Sequence, residues 1–191
     1  MIDTPAQLPR KLLQIEEETK NLNFDMPSER LTGAILRSLA ASKPDGTLLE
    51  LGTGTGLSAA WILDGLGSNA QLTSIEVDSG VAAVAKKAFA DDGRFHLVIE
   101  DGADWLSRAD GSYDFIFADA MPGKYENFER AWDLLSLGGL YVCDDMLPQP
   151  NWPEGHEKRV EAFVDMLDNM NGAAVTKLSW ATGICVVTRT A

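Results

Sequence analysis

Cysteine is scarce in this chain of 191 residues: it has only Cys143 and Cys185, far apart, each inside an apolar run that reads as a buried strand. So few thiols exclude a disulfide-stapled scaffold and lead us to expect a reducing, cytoplasmic compartment. Long apolar runs are lacking too. Nowhere do eighteen uncharged apolar residues follow one another, and residues 1–14 carry prolines but no apolar stretch, so neither a membrane span nor a secretory signal is expected. Basic residues are outnumbered, 16 against 29 acidic ones, for a formal charge of -13. They are scattered rather than gathered into a stripe, which argues against nucleic acid as a partner and suits a neutral or cationic small molecule. Histidine occurs twice, at His96 and His156; the spacing makes no metal-binding pair, and both read as structural.

What the chain does have is apolar material for one core, 45% of its residues, and a length that fits one domain over 1–191. Short β-rich runs recur at 47–51, 72–77, 95–99, 114–119, 139–143, 176–180 and 184–189. Segments with helical spacing separate the first five, at 58–66, 81–90 and 125–135 among others. Alternation of this kind gives parallel strand–helix–strand units buried on both faces. A further amphipathic helix precedes the first strand, with Leu31, Ile35 and Leu39 on one side and Ser28 as its N-cap. After the helix at 156–171, the last two strands are joined by the turn 181–183 and form an antiparallel hairpin. The expected fold is therefore α/β: a Rossmann-like, seven-stranded, mostly parallel sheet with helices on both faces and that hairpin at its end. Residues 1–27 form an N-terminal extension and 28–191 the core.

Chemistry concentrates at the ends of the strands. The first strand runs through Leu48-Leu49-Glu50-Leu51 into Gly52-Thr53-Gly54-Thr55-Gly56, where glycines let backbone approach a ligand at a helix start. A dinucleotide fingerprint counted from Gly52 needs glycine at position 57, where Leu57 stands, and Glu50 would repel a pyrophosphate while suiting an ammonium group. A nicotinamide-dependent oxidoreductase is the weaker reading for that reason. At the second strand's end, Glu76 can accept the two hydroxyls of a ribose. Beyond the third, Asp101 and Gly102 offer a carboxylate and bare backbone to an adenine edge.

Taken together, Leu49-Glu50-Leu51-Gly52-Thr53-Gly54-Thr55-Gly56-Leu57-Ser58, Ile75-Glu76-Val77-Asp78, Phe115-Ile116-Phe117-Ala118-Asp119-Ala120 and Gly138-Gly139-Leu140-Tyr141-Val142-Cys143-Asp144-Asp145 resemble the class I methyltransferases. Within them the chain is similar to the catechol O-methyltransferase-like family of small bacterial O-methyltransferases, over about residues 28–189. The resemblance implies that S-adenosylmethionine is the cofactor. Its methionine part would lie on Glu50, Gly52, Thr53, Gly54 and Gly56, its carboxylate on Ser58, its ribose on Glu76 and its adenine on Asp101 and Gly102, with Asp119 beside them. The reaction implied is O-methylation of a small molecule with a phenolic or catechol-like hydroxyl.

The family's metal ligands match Asp119, Asp144 and Asp145, and three carboxylates at neighbouring strand ends would repel one another without a cation, magnesium or another divalent ion. Two departures stand out. The family's usual Asp-Asn pair is Asp144-Asp145 here, and its lysine three residues after the aspartate is replaced by Pro122. The general base is then vacant, and Lys124, on a flexible Pro-Gly turn, is the candidate to fill it, with Asp119 as the other catalytic residue. Tyr125 matches a recurrent family tyrosine and is expected to begin the next helix. Trp152 offers an aromatic wall in the loop over the sheet edge. A non-catalytic cofactor-binding or interaction domain is the remaining alternative. The family is often dimeric, and residues 8–22 could pair with another subunit or pack on their own domain.

Overall fold

The run Thr47–Leu51 is buried at every position but the first, as befits a strand covered by helices on both faces. In the computed structural model, which describes residues 3–5 and 7–191, it is β1, an interior strand of a seven-stranded sheet. The others are β2 (Gln71–Glu76), β3 (Phe95–Ile99), β4 (Tyr113–Ala118), β5 (Leu135–Cys143), β6 (Ala173–Leu178) and β7 (Ile184–Arg189), in the order β3-β2-β1-β4-β5-β7-β6. The first five strands are parallel, and β7 runs antiparallel to both β5 and β6. The hairpin read from the sequence is present, with its second strand inserted next to β5.

Alternation along β1 sends Leu48 to one face and Leu49 to the other. On the first face Leu48, Phe115 and Phe117 pack with Leu12 and Ile15 of α1 (Leu12–Asn21), Leu36 of α2 (Arg30–Ala40), Trp61 of α3 (Leu57–Gly65) and Ala85 of α4 (Ser79–Ala88). On the second, Leu49 and Ile116 meet Leu106 of α5 (Gly102–Arg108), Phe128 of α6 (Phe128–Asp133) and Phe163 of α7 (His156–Asp168). Of the two expectations for the N-terminal segment, packing on its own domain is what α1 does.

Three local expectations are corrected. Ser28 does not cap α2: Glu29 holds the N-cap position without a side-chain bond, and the Ser28 hydroxyl turns to Asp119 instead. Tyr125 lies outside the helix it was expected to begin, because the chain first turns through Asn127 at φ +56° and α6 starts at Phe128. β5 begins four residues early, at Leu135. Among the described residues no helix is long and apolar enough to cross a membrane.

Candidate active site

β1 pairs with β2 on one side and β4 on the other, so the connections from its neighbourhood diverge and leave a crevice at the strands' carboxyl ends. The glycine turn forms the crevice floor. Gly52 takes φ +97°, and a Cβ there would stand 2.7 Å from the backbone oxygen of Asp119, so a side chain is excluded both by conformation and by the crossing strand end. The Gly52 and Thr53 N–H groups donate to the Ile75 carbonyl at 3.0 and 3.1 Å. Gly54 N–H donates to Glu76 Oε2 at 2.8 Å, and Asp78 N–H to Glu76 Oε1 at 3.0 Å.

The resulting cleft has a volume of about 410 Å³, within the usual range for small-molecule sites. Gly52, Thr53, Gly54, Glu76, Asp101, Gly102 and Asp119 all line it. Asp101 also caps α5, accepting the N–H groups of Ala103 and Asp104 at 2.8 and 3.1 Å. Glu50, Gly56 and Ser58 do not line the cleft. A strand residue projects perpendicular to the sheet, so Glu50 points under the turn rather than along it. There it is fully buried and accepts the Ser74 hydroxyl, which is hydrogen-bonded in turn to Thr53. Burial pushes its carboxyl up to about 7, against the downward pull of Ser58 and Ser74 and with the neighbouring charge of Glu76 adding to the rise. Direct contact between Glu50 and a ligand, expected from the sequence, thus becomes support of the turn from beneath.

The cleft's other wall is Phe24, Met26 and Pro27, from the N-terminal extension, with Ser28 at the start of the core. Sequence reasoning gave none of these residues a place in the cofactor cleft. Their only local signal is two apolar side chains in a segment with neither helical nor strand periodicity.

Beside the cleft the carboxylates gather. Asp119 follows β4, with its side chain 17% exposed; one oxygen accepts from Ser28 at 3.3 Å, and the other is 3.9 Å from Lys124 Nζ. Lys124, 5% exposed, donates to the backbone oxygen of Asp144 at 3.0 Å. Its turn is fixed rather than flexible. The N–H groups of Lys124, Tyr125 and Glu126 converge on the Met121 carbonyl, and Gly123 N–H donates to the Glu126 carbonyl at 2.6 Å. The buried Tyr141 hydroxyl donates to Gly123 O at 2.6 Å. Burial raises Asp119 well above the usual carboxylate range, Lys124 opposes the rise, and Asp144, Asp145 and Glu50 add to it.

The expected metal site is not assembled. Among the described residues no three His, Cys, Asp or Glu side chains are grouped so as to hold a metal ion. The Asp144 carboxylate accepts from Thr182 at 2.5 Å and from Asp145 N–H at 2.8 Å. The Thr182 bond ties it to the β6–β7 turn, and Lys124 supplies the positive charge near Asp119.

Aromatic groups stand next to this cluster. Tyr125 meets His156 at 5.2 Å and Phe163 at 5.5 Å, and Trp152 meets His156 at 4.8 Å between ring centroids. The Tyr125 hydroxyl is buried without a partner. Burial, then Lys124, pushes the His156 imidazole below its ordinary value, so the ring read as structural from its sequence position borders the acidic cluster. His96, by contrast, is hydrogen-bonded to Gln71 at an exposed position.

Comparison with known proteins follows the same geography. A family model described as a methyltransferase domain matches residues 49–146, from β1 through Asp144 and Asp145. A Mycobacterium sp. (strain KMS) protein, named by inference as an O-methyltransferase, is 39% identical over 116 residues, 58% of this chain and 53% of that protein. The match thus spans about half the length of this relative. The O-methyltransferase TomG from Streptomyces achromogenes, involved in tomaymycin synthesis and solved with S-adenosylmethionine, aligns with a TM-score of 0.83 at 22% identity, over 97% of this chain and 92% of its own. The Bacillus cereus O-methyltransferase solved with S-adenosylhomocysteine gives a TM-score of 0.83 at 19% identity, over 97% and 94%. These two likenesses establish a shared fold. With a family model that spans half of the chain and takes in the glycine turn, Glu76, Asp119 and the Asp144-Asp145 pair, the chain belongs to the methyltransferase-domain family.

Proposed function

We propose that the cleft binds S-adenosylmethionine and that the protein transfers its methyl group to an oxygen of a small molecule, of the phenolic or catechol-like class. The observation that carries this reading is the bond from Gly54 N–H to Glu76 in the cleft wall. In a dinucleotide site the turn's N–H groups face a pyrophosphate. Here one of them is already taken by a carboxylate, which suits ribose hydroxyls and disfavours a phosphate. Glu76 would hold the ribose, Asp101 and Gly102 the adenine edge, and Gly52 to Gly54 the methionine part, with Phe24 and Met26 closing the far wall. When bound, the cofactor supplies a methyl on a sulfonium that leaves as a neutral thioether.

The naming of the mycobacterial relative as an O-methyltransferase supports oxygen as the target. Asp119 lies at the cleft edge, and the rise of its carboxyl suits it to take the acceptor hydroxyl's proton. Tyr125, Trp152 and His156 supply flat walls for an aromatic acceptor. A cytoplasmic setting is part of the reading, supported by two free, buried thiols. A homodimer would cover the exposed Leu13 and Leu22 near α1's outer side. The test is release of S-adenosylhomocysteine on incubation with S-adenosylmethionine and a panel of phenols and catechols. Methylated phenol in equal amount supports the reading. No product from any of them favours a cofactor-binding domain without catalysis.

A further inference from the structure

The structure assigns to Lys124 the charge that a divalent ion would bring beside Asp119, and we propose that this chain works with its own buried ammonium as the fixed cation, without a bound divalent metal. The inference rests on the methyl-transfer reading of the cleft, but its geometry stands apart from any acceptor. An ammonium taken out of water is costly unless carboxylates and carbonyls compensate it. Lys124 Nζ has both: the Asp144 backbone oxygen at 3.0 Å and Asp119 Oδ1 at 3.9 Å.

The turn that delivers it is built for one position. Gly123 at φ +85° leaves no room for a Cβ, which would stand 2.2 Å from Leu51 Cδ1, and Tyr141 clamps the Gly123 carbonyl. The anionic groups are committed as well. Asp119 Oδ2 accepts from Ser28, and Asp144 Oδ1 accepts from Thr182 and from Asp145 N–H. A magnesium ion needs near-octahedral oxygens at about 2.0–2.1 Å, so it would have to draw these carboxylates off their partners and drive the ammonium away. Lys124 is a positioning residue in this scheme. Its ammonium donates to the Asp144 backbone oxygen just past β5 and stands 3.9 Å from Asp119, and its charge offsets the negative charge that passes from Asp119 to the acceptor oxygen as the hydroxyl's proton moves the other way.

Calorimetric titration of the purified protein with manganese or magnesium alone separates this from a metal-dependent site. The wild-type protein is expected to show no saturable binding up to about 1 mM metal, and its affinity for S-adenosylhomocysteine is expected to be unchanged by chelator. Lys124→Ala, which leaves the carboxylates without their internal cation, is expected to bind manganese at least about tenfold more tightly than wild type, whereas Lys124→Arg, which keeps the charge, gains nothing. Micromolar metal binding by the wild-type protein, or the same metal affinity with and without Lys124, would overturn the proposal. The wild-type titration decides the matter even if Lys124→Ala does not fold. Failure to bind S-adenosylhomocysteine would defeat the methyl-transfer reading and leave the metal titration to judge Lys124 separately.

Discussion

Glu76 and Gly54, the first at the end of β2 and the second in the turn after β1, are joined by a hydrogen bond of 2.8 Å from backbone N–H to carboxylate. The bond seats the same carboxylate on the cleft wall and sets the height of the glycine turn. Glu76→Ala is expected to weaken binding of S-adenosylhomocysteine about 10- to 100-fold, the worth of hydrogen bonds to a charged group. Thermal unfolding should change little, because Glu76 is half-buried and water can reach the freed N–H. Calorimetric titration of the variant beside wild type reads the first, and a melting curve the second.

The buried carboxyl of Glu50 makes stability depend on pH. Its folded-state pKa of about 7 lies above the ordinary value of 4.5, so the contribution is fully present below about 4.5 and is lost as pH rises through 7. The loss is on the order of 3 kcal/mol, because each pH unit separating the folded and unfolded values is worth about 1.36 kcal/mol. Glu50→Gln is expected to flatten this decline, so that wild type and variant diverge between about pH 5 and about pH 8 in favour of the variant. Urea midpoints across the range measure it. Parallel curves for the two proteins would contradict the assignment.

Gly52→Ala adds a Cβ 2.7 Å from the backbone oxygen of Asp119, at φ +97°. Gly111→Ala meets the same strain at φ +96° with nothing within 4 Å. The second substitution should cost about 1 kcal/mol and the first about 2–4 kcal/mol more, since backbone must shift to accommodate it. The difference between their denaturation midpoints isolates the close approach of the turn to β4.

Tyr141→Phe removes the donor to Gly123 O from a site fully closed to water. An unsatisfied buried carbonyl costs about 1–3 kcal/mol, and chemical denaturation of the variant should read a loss of that size.

What could be read in the sequence was local. The strand β1 and its glycine turn announce themselves through an apolar run and three alternate glycines, and Glu76, Asp101 and Asp119 through their places at strand ends. The rest depended on contacts made across the chain. Glu50 looked like a ligand contact because only the arrangement of Ser58 and Ser74 around it reveals a buried side chain. Lys124 looked like a residue on a loose turn because the Met121 carbonyl and the Tyr141 hydroxyl that fix it are invisible in its spacing. The three aspartates suggested a metal, and nothing in their spacing shows that Thr182, from the β6–β7 turn, donates to Asp144. The insertion of β7 beside β5, which brings that turn there, has no local signature.

The most direct test of the account is calorimetric titration of the purified protein with S-adenosylmethionine, S-adenosylhomocysteine and NAD. Saturable binding of the two sulfur nucleosides, weakened together about 10- to 100-fold in Glu76→Ala and absent for NAD, is the predicted result. Binding of NAD alone, with neither sulfur nucleoside bound, would contradict it and return the glycine turn to the dinucleotide class.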